Sequence, residues 1–161
     1  MRDRSRVIPH WHRERFNRAN LNMQEVNFDE VVERLYGQDA RFAREAYQFT
    51  REALDYTQKL ISRENKVTVR HVTGQELLEG IRQFALQQYG PMTITVLGEW
   101  GVNNCRDFGE IVFNMVESGL LAKTEKDTRD DFQQGYTFTD AFDKPFWPAG
   151  KIAAQKKTVV K

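Results

Sequence analysis

Between Asn104 and Phe142 a capped amphipathic segment, a hydrophobic stop and an alternating aromatic stretch follow one another, an order that few folds accommodate. Asn104 with Asp107 three residues on reads as a helix start, and Phe108, Ile111, Val112, Met115 and Val116 fall on one helical face. Gly119-Leu120-Leu121 ends that helix. An acidic loop leads into Gly135-Tyr136-Thr137-Phe138, whose alternation predicts a strand of a small β-hairpin. With two helices before it, the segment has the order of a winged helix-turn-helix. The turn falls at Trp100–Asn103 and the wing at Thr124–Gln134.

The upstream chain reads as helical too. Asn27 and Glu30 predict a capped start for a helix with Phe28, Val31, Val32 and Leu35 on one face, stopped at Gly37. A second helix is expected from about Asp39 to Ser62, because Phe42, Ala46, Phe49, Ala53, Tyr56 and Leu60 alternate by four and three residues. Lys66–Arg70 is β-branched and alternating, which predicts a short strand. Thr73 and Glu76 form a capping box, Gly90-Pro91 a stop, and Leu77, Ile81, Phe84, Ala85 and Tyr89 the buried stripe between them. Met92–Trp100 is a shorter helix with Ile94, Leu97 and Trp100 as its core. The fold class is therefore mainly α. One domain over 27–148 carries the winged-helix-like half, the first two helices form an extra layer, and flexible basic tails occupy 1–26 and 149–161.

Charge separates those tails from the body. Residues 1–22 carry Arg2, Arg4, Arg6, Arg13, Arg15 and Arg18 against two acids, a net of +4, and residues 144–161 carry five lysines and no acid, a net of +5. The 121 residues between them hold 13 bases and 21 acids, a net of −8. The recognition helix of the predicted winged element has Arg106 alone against Asp107, Glu110 and Glu117, and the wing is acidic as well. Phosphate contact needs Lys or Arg on the docking face, so sequence-specific DNA reading by this element is disfavoured. RNA contacts are assigned instead to the tails, through the six arginines, Lys151, Lys156 and Lys157, with Trp11 and Phe16 to stack on bases.

Signatures of catalysis are sparse. Cys105 opens a helix, where the dipole lowers a thiol pKa, but no local His signature supplies a base. His10 and His12 are two potential ligands in a tail, and Asp127, Asp130 and Asp131 lack the spacing of a calcium loop, so no metal is expected. No phosphate-binding glycine loop or nucleophile elbow occurs, so no cofactor is expected either. No apolar run approaches ~20 residues, and Arg2, Arg4 and Arg6 are followed only by Val7-Ile8-Pro9, which lacks a secretory apolar core. With a single cysteine, the expectation is a cytoplasmic protein without membrane contact.

Several long phrases carry a family resemblance. They include Arg51–Thr57, Arg70–Arg82, Trp100-Gly101-Val102, Asp107–Asn114 and Gly119–Thr124. Over about Phe28 to Phe146 they resemble a small uncharacterised family found largely in planctomycete and verrucomicrobial bacteria. The resemblance implies no activity, cofactor or catalytic residue, and it does not extend to the tails. Within these phrases Arg70, His71, Glu79, Arg82, Asp107 and Glu110 are polar residues among apolar ones. They are expected to form an ionic network between the third and fifth helices. The favoured function is a non-enzymatic interaction module for a protein assembly or nucleoprotein particle. The alternative is a regulator or enzyme that binds a small acidic ligand near Arg70, His71 and Arg82.

Overall fold

The computed structural model describes residues 28–65 and 70–151. Five α-helices and several short helical turns make up this part: α1 over 28–38, α2 Arg44–Asn65, α3 Gly74–Tyr89, α4 Thr93–Glu99 and α5 Cys105–Glu117. The expected mainly helical class is what the described residues show.

α1 buries Phe28, Val31, Val32 and Leu35, the face read from its periodicity, and runs one residue past Gly37. The second helix starts five residues later than its apolar seam suggests. Asp39 accepts hydrogen bonds from the Arg41 amide (3.1 Å) and guanidinium (2.7 Å), which folds 39–41 into a turn. The Ala43 amide then donates to the Trp100 carbonyl at 3.0 Å, fixing where α2 enters.

α2 is the centre of the fold rather than an outer layer. It packs against both α3 and α5. Phe42, Ala46, Phe49 and Ala53 are buried as the seam predicts, while Tyr56 and Leu60 are half-buried. Two buried threonines on the same helix, Thr50 and Thr57, satisfy their hydroxyls on the carbonyls of Ala46 and Ala53, both at 2.7 Å. Phe49 is the hub of an aromatic cluster, with ring centroids 5.4 Å from Phe84, 5.6 Å from Trp100, 6.0 Å from Tyr89 and 6.3 Å from Phe108. Such tilted pairs add to the area they bury.

The capping boxes of α3 (Thr73 with Glu76) and α5 (Asn104 with Asp107) are both formed. α4 differs from its expected core: Leu97 is buried, but Ile94 lies on the surface and Trp100 is half-buried. Thr93 takes the inner position, its hydroxyl within reach of the carbonyls of Gly90 (2.8 Å) and Ala85 (3.2 Å).

The predicted winged-helix hairpin is the main correction. No strand occurs among the described residues, and 120–146 is a chain of loops and short helical turns, at Arg129–Phe132, Thr139–Asp143 and Lys144–Phe146. The physical reason is that this segment spends its hydrogen bonds locally and on the helices. Thr124 and Thr128 donate to Asp127 and Asp131 in two consecutive three-residue turns, both at 2.7 Å. The Tyr136 hydroxyl donates to the Leu78 carbonyl at 2.8 Å, and the Tyr136 carbonyl accepts the Cys105 thiol at 3.2 Å. Phe132 packs against α5 at Gly109, where an added Cβ would stand 2.8 Å from the Phe132 Cβ. Phe138 continues the aromatic cluster at 6.1 Å from Phe108, and Phe142 lies 5.1 Å from Phe138. Alternating aromatics here mark anchors laid across helices, not a pleated strand.

Four expectations fall on residues outside the described ones: the Asn27 cap, residues 66–69 of the predicted strand, the tail 1–26, and the tail beyond Lys151. Arg70 itself is non-helical.

Candidate functional site: an apolar groove between three helices and the 120–132 segment

α5 carries more apolar surface than one neighbour can cover. Its inner stripe, Phe108, Ile111 and Met115, is fully buried. Val112, Phe113 and Val116 form a second stripe, turned toward α2, α3 and the loop that follows Gly119. Together with Leu54 of α2, Leu77 of α3, Leu120, Leu121 and Phe132, this stripe lines a groove of about 300 Å³. That volume is at the lower end of what small-molecule and side-chain pockets occupy.

Polar groups sit at the edge of the groove. His71 Nε2 lies 2.7 Å from Asp127 Oδ2, and the same oxygen accepts the Thr124 amide at 2.7 Å and hydroxyl at 2.9 Å. Burial works against charge on Asp127, but the Thr124 amide and hydroxyl together with the His71 imidazole hold its carboxyl below the usual range. His71 thus ties the entry to α3 to the loop after α5, and both strands of that tie border the groove. Phe113 forms part of the floor, with Lys123 Nζ 5.4 Å and Arg129 Cζ 4.8 Å from its ring centroid. Arg129 is also paired with Glu117 at 2.8 Å and Glu110 at 3.5 Å. Lys123 has no carboxylate within ion-pair distance among the described residues.

The six residues expected to share one ionic network are instead dispersed. Arg70 pairs with Glu76 at 2.6 Å, and Arg82 with Glu79 at 2.6 Å, each within its own helix or its lead-in. Asp107 caps α5 by accepting the amides of Asn103 (2.8 Å) and Asn104 (3.2 Å). Glu110 faces Arg129 and, at 3.9 Å, Arg41. Only His71 reaches the groove. Arg70 and Arg82 are engaged elsewhere, so the three groups of the small-acid alternative do not converge on one cavity. Short helical spacing explains the dispersal: Glu79 and Arg82 are three apart on one helix face and satisfy each other first.

No family model, curated protein or solved structure matches the chain. The remaining candidates are read from geometry. Cys105, the first residue of α5, is buried against Gly135, and burial pushes its thiol up to about 11, against the lowering expected of a helix start. Tyr136 is likewise raised well above the ordinary phenol range by burial. Among the described residues no group of three His, Cys, Asp or Glu side chains is placed to hold a metal ion, and no helix is long and apolar enough to cross a membrane. Of the basic residues assigned to nucleic acid or an acidic partner, Lys151 is described: its Nζ lies 4.1 Å from the Trp147 ring centroid. Arg2, Arg4, Arg6, Arg13, Arg15, Arg18, Lys156 and Lys157 lie outside the described residues.

Sequence reasoning passed over Leu54, Phe113, Lys123 and Phe132 as site residues. A usable signal was present. Val112, Phe113 and Val116 beside Phe108, Ile111 and Met115 make an apolar arc too wide for a helix with one partner.

Proposed function

We propose that the chain is a non-enzymatic interaction module, which takes up an apolar segment of a protein partner in the groove between α2, α3, α5 and residues 120–132. The partner belongs to a protein assembly or nucleoprotein particle, and the basic tails add RNA contacts. The observation that carries this reading is the apolar stripe of half-buried Val112 and Val116 over buried Phe113, with Lys123 at its edge and no acid paired to it among the described residues. An apolar floor beside an ammonium without a carboxylate partner among the described residues suits a segment whose apolar side chain is followed by a carboxylate, since contact area supplies affinity and the charge fixes orientation. No cofactor enters this reading.

The test is capture from native lysate by the full chain, with and without nuclease, comparing wild type with Val116→Arg and Lys123→Glu. Val116 is half-buried at the groove, so a guanidinium there fills the cavity without entering the core. The expected result is a protein retained by wild type after nuclease treatment, lost with Val116→Arg and weakened with Lys123→Glu. Retention that ignores both substitutions, or that vanishes with nuclease alone, contradicts the groove as the binding surface.

A further inference from the structure

We propose that the C-terminal edge of the body, Lys144 to Lys151, is a site for single-stranded nucleic acid, in which Phe146 stacks on a base while Lys144 and Lys151 hold the flanking phosphates. Lys144–Phe146 is a single tight turn with a proline at its start, and Pro148 follows two residues later, so the ring of Phe146 is presented on a backbone with little freedom. That ring is 46% exposed. A lone exposed aromatic is ordinary in a protein surface. This one stands inside a run, Lys144 to Lys161, that has five lysines and no acid.

Two of those ammonium groups are gathered at the residue that follows it. Lys151 Nζ lies 4.1 Å and Lys144 Nζ 5.9 Å from the centroid of the Trp147 ring, so one indole holds both cations at this turn. Lys144 is also paired with Asp140 one helical turn earlier, whereas Lys151 has no carboxylate within ion-pair distance among the described residues. An exposed ring on a turn that also carries cations is an arrangement by which proteins hold single strands. Every base has a π-face, and the backbone brings a phosphate at each step. A duplex offers no unstacked base to Phe146, so the single strand is the form selected. The net charge of −8 over residues 23–143 repels a polyanion from the rest of the body, which favours this edge among the described residues. An anionic membrane would need a broad apolar face, and at this turn only Phe146 among the described large apolar side chains is exposed. The site rests on the proposed RNA contacts of the basic tails, which it locates at this turn, and shares no residue with the groove, so its failure leaves the groove reading standing.

The experiment is fluorescence anisotropy of a labelled oligouridylate of about 15 nucleotides, a length within the usual single-strand footprint. It is titrated with the full chain over a salt series, and vesicles containing phosphatidylserine serve as a separate arm. Phe146→Ala is expected to weaken binding roughly 5- to 150-fold with an unchanged salt slope. Lys151→Ala is expected to weaken it and to reduce the slope by about one. Far-ultraviolet circular dichroism checks that both variants keep the wild-type helix content. The proposal is overturned if wild type does not bind at low salt, or if both variants bind as wild type does. It is also overturned if Phe146→Ala abolishes vesicle binding while leaving oligouridylate binding intact.

Discussion

Replacing Gly80 by alanine is the sharpest test of how α2 and α3 meet, because two rules predict opposite signs. An alanine inside a helix is favoured over glycine by about 1 kcal/mol, so propensity alone makes Gly80→Ala stabilising. The structure says otherwise. A Cβ on Gly80 would stand 1.7 Å from Thr57 Oγ1, 2.8 Å from Thr57 Cβ and 2.9 Å from Thr57 Cγ2. Thr57 is buried, and its hydroxyl donates to the Ala53 carbonyl at 2.7 Å. Rotating that hydroxyl away strands a buried donor, which costs about 1–3 kcal/mol. The carbon contacts would still be about 1 Å too short, so the helices must part, and overpacking of this kind costs about 1–3 kcal/mol. After the propensity gain is subtracted, the net loss is about 3 kcal/mol. For a chain of this length that lowers the melting temperature by roughly 6–12 °C. Urea unfolding followed by circular dichroism, with a common slope for all variants, measures it directly. Adding Thr57→Ala to Gly80→Ala removes the hydroxyl and methyl but not Cβ, and should restore about half of the loss. A Gly80→Ala protein as stable as wild type, or more so, would refute the close helix crossing.

Three other outcomes follow from the same structure. Phe49→Ala opens the centre of the aromatic cluster and should cost about 3–5 kcal/mol in the same assay; unchanged stability would remove the packing account. The Arg70 guanidinium and the Thr73 amide hold the Glu76 carboxyl down at about 2, from 4.5. A lowered acid stabilises the fold above its unfolded pKa, so this contribution is present above about pH 4.5 and is lost as pH falls toward 2. With the side chain 34% exposed, screening reduces it to about 1–2 kcal/mol, and the stability gap between wild type and Glu76→Gln should close over that acid range. Thiolate absorbance should show Cys105 titrating near 11; ionisation near neutrality would reopen a nucleophilic role.

Local rules carried much of the fold. Thr73 with Glu76 and Asn104 with Asp107 fix helix starts through neighbours three residues apart, so both boxes were legible. The α2 seam was legible for the same reason, but its start was not. Asp39 is bound by Arg41, and Ala43 by the distant carbonyl of Trp100, a partner that periodicity cannot reveal. The hairpin reading failed because Tyr136, Phe138 and Phe142 alternate for contacts with Leu78, Phe108 and one another, which mimic a strand pattern without a strand partner. The groove was half legible. The apolar width of α5 is written in its sequence, but the covering segment that leaves Val112 and Val116 open is set by how 120–132 folds back over Gly74 and Gly109. The polar cluster was misjudged because short-range pairing, Arg70 with Glu76 and Arg82 with Glu79, satisfies each charge before a longer network forms.

Site-specific photocrosslinking tests the groove most directly. A photoreactive phenylalanine analogue placed at Leu121, which is half-buried beside the groove, reports what occupies it in native lysate. The same analogue at Met92, 56% exposed and not part of the groove, reports nonspecific contact. The account predicts a discrete protein adduct from Leu121 that survives nuclease, disappears when Val116→Arg fills the cavity, and is absent from Met92. Equal adducts from both positions, or none from Leu121, would contradict it.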